Sequence, residues 1–213
     1  MYSRLQYISQ GVTAEEQLKN IQSALDAGCD WIQLRFKNAS DELFIQTAET
    51  VRALCTKYNA TFIINDRVAA AIRVNADGVH LGLADMPVPS ARLLLEGKII
   101  GGTANTFEDV LRRAEEKADY TGLGPLRFTG TKEKLSPILG IEGFKNIIDQ
   151  MKKQGITVPV YAIGGIVSDD LPALLDSGCY GVAVSGAITS AADQKNYVSQ
   201  LKTTLNGYVE HSR

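Results

Sequence analysis

The same local pattern recurs along the whole chain: a helical stretch, a small turn with Gly or Ala, and then a short β-rich run. It is clearest at 25–34 and 175–184, where Leu-Asp-Ala-Gly-Cys-Asp and Leu-Asp-Ser-Gly-Cys-Tyr precede apolar residues. Weaker copies stand at 74–81 and 117–123. Glycine suits the left-handed residue that ends a helix, so each copy marks a helix that leads into a strand. The repeat predicts a chain of αβ units.

Eight short runs have strand character, and several are continuously apolar, as parallel strands covered on both faces are. The predicted strands are Leu5–Ser9, Trp31–Phe36, Thr61–Asn65, Gly78–Gly82, Ile99–Thr103, Tyr120–Gly124, Val158–Ile163 and Gly181–Ser185. Amphipathic stretches lie between them, most clearly at Ala14–Ala27, Asp41–Tyr58, Phe107–Lys117 and Ile141–Gln154. An open dinucleotide-binding sheet would carry GxGxxG after its first strand, and this chain does not. We therefore predict an α/β fold, a single-domain (βα)8 TIM barrel over residues 1–213.

Composition limits the functions that such a barrel can have. The 213 residues carry a formal net charge of -2, which gives no basic field for nucleic acid or anionic lipid. The three cysteines are widely spaced and form no CxxC or Cys/His cluster, so neither a disulfide framework nor a zinc site is indicated. The first residues lack a signal-peptide pattern, and the apolar runs are shorter than the ~18 residues of a membrane span. We expect a cytoplasmic protein that holds its anions in a local site.

Polar residues gather at the carboxyl ends of the predicted strands, where barrel enzymes keep their active sites. Gln33, Arg35 and Lys37 alternate at the end of strand two, and the strand period of two places them on one face. Two cations and an amide that face the same way suit an anion with several acceptors, such as a diphosphate. The alternative is that Arg35 and Lys37 make structural ion pairs with neighbouring loops.

Two carboxylates follow the next two strands. Asp66 follows strand three and Asp85 lies just beyond strand four, so adjacent strand ends bring them near each other. Such a pair could be an acid/base dyad. Beside a cationic diphosphate pocket we prefer Mg²⁺, which takes one or two protein carboxylates together with phosphate oxygens and water. Helix N-capping is the alternative role for Asp66.

A second group of anion-binding features lies in the second half of the chain. After strand six, Thr129, Thr131 and Lys132 offer two hydroxyls and a cation in a Gly-containing loop whose spacing is not that of a P-loop. Strand seven ends at 164–165 and strand eight at 185–186, both with glycine. Glycine-rich ends on these two strands are the usual phosphate site of a barrel, although tight turns alone would also favour glycine. Together the two groups predict two phosphorylated substrates that meet over the barrel.

The order and spacing of these motifs resemble the thiamine phosphate synthase family over nearly the whole chain. The matching segments are 33–37, 64–67, 77–82, 99–103, 124–132, 162–166 and 182–188. The resemblance implies a transferase of thiamine biosynthesis that couples 4-amino-2-methyl-5-pyrimidinylmethyl diphosphate with a thiazole ethyl phosphate, giving thiamine phosphate and diphosphate. In this family the reaction is dissociative: diphosphate leaves the pyrimidine methylene, and the thiazole nitrogen captures the resulting cation.

The resemblance also implies roles for individual residues. Those implied to contact the pyrimidine diphosphate are Gln33, Arg35, Lys37, Asn65, Thr103 and Lys132. Those implied to bind the thiazole phosphate are Thr129, Thr131, Gly165, Val184 and Ser185. Asp66 and Asp85 are implied to hold Mg²⁺, the expected cofactor. The catalytic residues would be Arg35, Lys37 and Lys132, which stabilise charge that grows on the departing diphosphate.

The chain departs from the family's usual pattern at several positions. Phe36 stands in place of a usual Glu, Thr103 in place of a Ser, and Asn105 in place of a frequent His. The usual proline after Phe128 is missing, and the first strand lacks the usual Thr-Asp ending. These changes remove none of the cations implied to bind the diphosphate and no implied metal ligand, but we expect Asn105 to alter the polarity of the pocket or the rate.

Two other functions stay open at this level. A thiazole tautomerase of the same fold would need a proton-shuttling group, but neither a magnesium pair nor cations for a diphosphate. The histidines are His80 and His211, and we interpret His80, alone in a strand, as a structural residue. A non-catalytic phosphate-binding barrel predicts neither metal dependence nor turnover.

The remaining expectations concern a loop and the partners. The segment 129–139 is either a lid over bound substrates or an ordinary charged loop. The expected partners are the two phosphorylated small molecules, without nucleic acid or membrane, and the sequence is compatible with a homo-oligomer.

Overall fold

The computed structural model describes residues 2–128 and 137–211 and contains a closed barrel of eight parallel strands. The strands are β1 (Leu5–Ile8), β2 (Trp31–Leu34), β3 (Thr61–Asn65), β4 (Gly78–Leu81), β5 (Ile99–Ala104), β6 (Tyr120–Leu123), β7 (Val160–Ala162) and β8 (Gly181–Val184). Each strand pairs with the next along the chain, and β8 closes the barrel on β1. The predicted barrel is confirmed, and all eight predicted strands are present. The strands β1, β2, β4, β6 and β8 end earlier than predicted and β5 ends later, because the chain leaves the ladder at the barrel mouth.

The strand β7 is shorter than the predicted Val158–Ile163. Its ladder begins at Val160 because Pro159 has no N–H to donate. The strand ends before Gly164, whose φ of +91° turns the chain out of the extended conformation. Because β7 ends before Gly164, the two glycines Gly164 and Gly165 lie directly at the barrel mouth.

Helices cover the outside of the barrel. They are α1 (Ala14–Asp26), α2 (Asp41–Lys57), α3 (Val68–Arg73), α4 (Val88–Leu94), α5 (Phe107–Glu115), α6 (Gly140–Lys153), α7 (Leu171–Ser177), α8 (Gly186–Thr189) and α9 (Gln194–His211). Capping boxes start α1 at Thr13 and α5 at Thr106. A 3₁₀ turn, Ser168–Asp170, precedes α7. Over 2–128 and 137–211, a helix with the length and apolarity needed to cross a membrane is not found.

The apolar core has two parts. The larger part lies between the barrel and the helices and includes Phe36, which follows β2. The smaller part fills the barrel at the amino ends of the strands, with Trp31, Tyr120 and Tyr161 around Ile63. The three aromatic rings pack edge-on with centroids 5.1, 5.2 and 5.4 Å apart. We refer to Trp31, Tyr120 and Tyr161 as the aromatic floor, which lies beneath the polar residues at the mouth.

The three cysteine thiols lie in this core and are not part of the site. Cys29, Cys55 and Cys179 are buried and free. Burial raises the pKa of each thiol to about 12, so the thiols stay protonated at neutral pH. A protonated, buried thiol is a poor nucleophile and a poor metal ligand.

Candidate active site

The end of β2 brings Gln33 and Arg35 to the barrel mouth. Gln33 is 2% exposed, whereas Arg35 is half-buried and lines a cavity above the barrel. The backbone N–H of Arg35 donates to the hydroxyl of Ser9 at 2.9 Å, and the amide of Gln17 donates to the carbonyl oxygen of Arg35 at 3.2 Å. Burial lowers the pKa of Arg35 while the charge of Asp66 raises it, and a guanidinium stays charged at neutral pH. Arg35 is therefore a fixed cation at the mouth.

Asp66 and Asp85 lie within electrostatic reach of each other, as the sequence predicted. Burial raises the pKa of the Asp66 carboxyl, and the charge of Asp85 raises it further. Lys37, Arg67 and Arg35 act on Asp66 in the opposite direction. The charges that follow β2, β3 and β4 thus act on one carboxylate, and we refer to Arg35, Lys37, Asp66, Arg67 and Asp85 as the charged cluster.

The alternative role of Asp66 as a helix cap is wrong. The N-cap residue of α3 is Arg67, and no side chain caps that helix. Asp66 has a left-handed backbone with φ of +57°, and its carboxylate accepts a hydrogen bond from the Asn65 amide at 2.7 Å. The carboxylate of Asp85 accepts the N–H of Gly82 at 2.6 Å. These contacts leave further lone pairs on both carboxylates.

Arg67 makes a structural ion pair in this region. Arg67 pairs with Asp41 at 3.0 Å and also donates to the carbonyl oxygen of Ala39 at 2.8 Å. Its guanidinium lies 4.4 Å from the ring centroid of Phe44, within cation–π range. Arg67 therefore fastens the loop after β2 to the loop after β3.

The donor set of Asp66 and Asp85 fits Mg²⁺ rather than a metal held by protein ligands alone. Among the described residues, Asp, Glu, His and Cys side chains form no group of three or more that could hold a metal ion. Mg²⁺ usually keeps several waters and binds through one or two carboxylates plus substrate phosphates. A divalent cation would also relieve the repulsion between the two carboxylates.

The ends of β7 and β8 border a cavity of about 360 Å³, a size typical of small-molecule sites. Arg35 lines the same cavity, which therefore runs from the cation cluster to the glycine-rich turns. The other lining residues are Ile8, Ser9, Gln10, Pro125, Phe128, Ile163, Gly164, Gly165, Ile166, Val167, Ala183, Ser185, Gly186 and Ala187. The two predicted anion sites are thus joined through one side chain.

Close packing explains the two glycines that end β7. Gly164 and Gly165 have φ of +91° and +75°, a region that side chains disfavour. A Cβ atom on Gly164 would lie 2.5 Å from Cβ of Pro125, and one on Gly165 would lie 2.5 Å from Cγ of Arg127. Without side chains, the N–H groups of this turn are open to an anion. The chain then reaches α7 through the 3₁₀ turn.

An ion pair that the sequence did not reveal fastens the β6 and β7 loops together. Nη1 of Arg127 lies 2.7 Å from Oδ2 of Asp170 and also donates to the carbonyl oxygen of Gly165. The same carboxylate accepts the N–H of Val167 at 2.8 Å. Burial raises the pKa of Asp170, but the hydrogen bonds from Arg127 and Val167 hold it below its ordinary value. Separated by 43 residues, the pair has no local sequence signal.

At the end of β8, Ser185 and Val184 differ in their access to the cavity. Ser185 stands at the N-cap of α8, and its hydroxyl donates to the amide oxygen of Gln10 at 3.3 Å. Val184 is 2% exposed and packs in the outer core, so a ligand contact from Val184 would come from its backbone. Gln10 lines the cavity and was not predicted, because it follows a strand without a recognisable motif.

A buried chain of hydrogen bonds crosses the barrel just below the mouth. Nε2 of Gln33 donates to Oε1 of Gln6 at 2.9 Å, and Nε2 of Gln6 donates to the hydroxyl of Tyr120 at 3.2 Å. That hydroxyl lies 3.1 Å from Nδ1 of His80, and Nε2 of His80 lies 3.0 Å from Oγ1 of Thr103. We refer to these five side chains as the polar chain. The interpretation of His80 as a hydrogen-bonded interior residue agrees with these contacts.

Two further residues hold the strand ends around the mouth. The amide of Asn105 donates to the carbonyl oxygen of Gly124, so this departure from the family pattern ties β5 to β6. Arg113 is buried and donates to the carbonyl oxygens of Thr103 and Gly82 at 3.1 and 3.0 Å. It pairs with Glu116 at 2.8 Å. Arg113 thus links the backbone at Thr103 to the backbone at Gly82, whose N–H donates to Asp85.

The remaining predicted site residues, Thr129, Thr131 and Lys132, lie outside the described residues, as does most of the segment 129–139. Their assignments stay predictions.

Comparison with known proteins decides the family. A family model described as thiamine monophosphate synthase matches residues 6–188. The chain belongs to this family. A thiamine-phosphate synthase of Flavobacterium johnsoniae is 55% identical over 206 residues, which cover 96% of this chain and 97% of that protein. Another from Bacteroides fragilis is 48% identical over 203 residues, covering 95% and 98%.

A solved structure agrees with the sequence relatives. The thiamine phosphate pyrophosphorylase from Pyrococcus furiosus superimposes with a TM-score of 0.83 at 31% identity, covering 97% of this chain and 96% of that chain. The family predicted from the sequence motifs is confirmed. This solved relative shares the barrel as well as the sequence.

Proposed function

We propose that the protein is a transferase of thiamine biosynthesis that couples 4-amino-2-methyl-5-pyrimidinylmethyl diphosphate with a thiazole ethyl phosphate, with residues 1–213 as one catalytic domain. The observation that carries this proposal is the position of Arg35. It belongs to the charged cluster around Asp66 and also lines the cavity that reaches Gly165. Two phosphorylated rings would then meet beside one cation. Membership of the family supports the same activity.

The diphosphate end would be held by the charged cluster. Arg35, Lys37 and Lys132 are the proposed catalytic residues, because cations stabilise the charge that a leaving diphosphate gains. Gln33, Asn65 and Thr103 would contact the rest of the pyrimidine substrate. Asp66 and Asp85 would hold Mg²⁺, which when bound neutralises part of the diphosphate charge.

The thiazole end would be held by the glycine-rich turns. The residues proposed to bind its phosphate are Thr129, Thr131, Gly165, Val184 and Ser185. Backbone N–H groups of the positive-φ turn at Gly165 and the hydroxyl of Ser185 can donate to phosphate oxygens. The Arg127–Asp170 ion pair would hold this turn in place.

The proposed reaction needs no side-chain nucleophile. The bond between the pyrimidine methylene carbon and the diphosphate oxygen breaks, and its electron pair leaves with the diphosphate. The lone pair of the thiazole nitrogen then forms the new C–N bond. The chain contributes by charge stabilisation and by holding the two rings in line, which removes much of the entropic barrier.

The tautomerase alternative is less well supported. It requires a side chain that moves a proton on the thiazole, and His80 already contacts Tyr120 and Thr103 through its two ring nitrogens. It also gives no role to the cluster of Arg35, Lys37 and the paired carboxylates. The cytoplasm remains the proposed location, since phosphorylated substrates of this kind do not cross membranes unaided. A homo-oligomer stays a prediction.

A diphosphate-release assay tests the proposal against both alternatives. The protein is incubated with both substrates, with each alone, and with or without Mg²⁺. We expect rapid diphosphate release only when both substrates and Mg²⁺ are present. Isomerisation of the thiazole alone without Mg²⁺ would favour the tautomerase, and an absence of any conversion would favour a binding protein.

A further inference from the structure

We propose that Gln6, Tyr120 and His80 are positioning residues that fix the hydrogen-bonding roles of Gln33 and Thr103 and thereby select a 4-aminopyrimidine over a 4-oxopyrimidine. This inference rests on the proposed function, which places Gln33 and Thr103 against the pyrimidine substrate. The observation behind it is the polar chain, whose inner members lie in the barrel interior between those two ends.

The donors of the polar chain all point the same way. Gln33 donates to Gln6, and Gln6 donates to the oxygen of Tyr120. The single hydroxyl hydrogen of Tyr120 then has Nδ1 of His80 as its acceptor, 3.1 Å away. Because Nδ1 accepts, the ring proton of neutral His80 is on Nε2, which donates to Thr103.

The direction of the hydrogen bonds in the polar chain determines whether Gln33 and Thr103 donate to a ligand or accept from it. Gln33 uses an N–H toward Gln6, so its amide oxygen is the atom suited to accept from a ligand. Thr103 accepts from His80, so its hydroxyl hydrogen is the atom suited to donate to a ligand. In a 4-aminopyrimidine the amino group is a donor and the ring nitrogens are acceptors, which matches this pair of ends. A 4-oxopyrimidine replaces the amino donor by an acceptor oxygen and is mismatched at Gln33.

To reverse the polar chain, all of its hydrogen bonds would have to change direction together. Both amides would have to turn over, the Tyr120 hydroxyl would have to rotate, and His80 would have to change tautomer. A partial reversal would leave buried donors facing donors, which is strongly unfavourable. The hydrogen-bonding roles of Gln33 and Thr103 are therefore coupled, although the two residues lie on different strands, β2 and β5.

The backbone at Gly101 and Gly122 packs closely against the side chains of Tyr120 and His80. A Cβ atom on Gly101 would lie 2.1 Å from Cζ of Tyr120 and 2.6 Å from its hydroxyl oxygen. A Cβ atom on Gly122 would lie 3.0 Å from Cε1 of His80. Glycine at both positions lets the tyrosine and the histidine meet inside the barrel.

Tyr120→Phe tests the proposal, with Tyr161→Phe as the matched control. Both tyrosines are buried in the aromatic floor, but the hydroxyl of Tyr161 donates to the carbonyl oxygen of Ser3 at 2.7 Å, outside the polar chain. The wild-type protein should favour the amino substrate over its 4-oxo analogue by at least ~100-fold in kcat/KM. Tyr120→Phe should lower this ratio about tenfold and raise KM for the pyrimidine but not for the thiazole phosphate. Tyr161→Phe should change neither.

Retention of the wild-type ratio in Tyr120→Phe would overturn the proposal. A second measurement holds even if that variant does not fold: ¹⁵N NMR of the wild-type imidazole rings, with His211→Gln to assign His80. We expect the Nε2–H tautomer of His80, and the Nδ1–H tautomer would contradict the proposed direction. If the protein converts neither pyrimidine but shows the Nε2–H tautomer, the proposed function fails while the direction of the chain stands.

Discussion

Arg127 and Asp170 form an ion pair that joins the loop after β6 to the turn after β7, with Nη1 2.7 Å from Oδ2. The same guanidinium bonds the carbonyl oxygen of Gly165, one of the residues proposed to bind phosphate. The pair thus acts on the geometry of the thiazole end without facing the diphosphate cluster.

Asp170→Asn should lower the free energy of unfolding by about 1 kcal/mol at neutral pH, because it removes a partly exposed ion pair. Hydrogen bonds hold the pKa of Asp170 below its ordinary value of 3.8, so the carboxylate stabilises the fold above that pH. The difference from wild type should shrink as the pH falls through the lowered pKa. Urea unfolding over a pH series measures it. Asp169→Asn is the control, and an equal loss in both variants would contradict the role of the pair.

Gly165→Ala should weaken the thiazole end specifically. The new Cβ would collide with Arg127, and φ of +75° disfavours any side chain by about 1 kcal/mol. Gly155→Ala is the control, since Gly155 has φ of +69° but no neighbour within 4 Å of such a Cβ. Both variants should lose similar stability from the backbone. Only Gly165→Ala should raise KM for the thiazole phosphate about tenfold or more, and an unchanged KM would exclude Gly165 from the site.

Asp66→Asn should be more stable than wild type at neutral pH but at least ~100-fold slower. The folded pKa of Asp66 is raised, so its ionised form is unfavourable to folding. The greater stability of Asp66→Asn over wild type should therefore be present at neutral pH and absent below the ordinary carboxyl pKa of 3.8. Thermal unfolding with Mg²⁺ and the substrates should show stabilisation of wild type but not of this variant. Glu49→Gln, at an exposed carboxylate of α2, should keep the stability and the rate of wild type. Near-normal turnover in Asp66→Asn would refute the role of Asp66.

Lys132→Ala should slow turnover at least ~100-fold if its charge stabilises the leaving diphosphate. Lys134→Ala removes a cation from the same segment and should leave the rate close to wild type. Steady-state kcat for the two variants compares them directly. Equal rates for both would place Lys132 among ordinary surface charges.

The barrel and the pairing of Asp66 with Asp85 could be predicted because both follow from local periodicity. Once eight parallel strands alternate with helices, their carboxyl ends meet on one face, and residues after adjacent strands become neighbours. The capping role considered for Asp66 could not be excluded from sequence. It depends on the left-handed backbone at Asp66, which leaves Arg67 as the N-cap residue of α3.

The polar chain and the Arg127–Asp170 pair could not be predicted from one sequence. Gln6 and Tyr120 are 114 residues apart and meet only because both face the barrel interior. Whether two inward side chains meet depends on the stagger of the strands, which local patterns do not give. The sequence indicates a structural role for His80 but not its partners, Tyr120 and Thr103.

The most direct test of two phosphorylated substrates meeting in one site is ³¹P NMR of a single-turnover reaction with the protein in excess and Mg²⁺ present. We expect thiamine phosphate and free diphosphate to appear in equal amounts, while both substrates disappear together. Unchanged signals from the pyrimidine diphosphate, with or without a change in the thiazole phosphate, would contradict it.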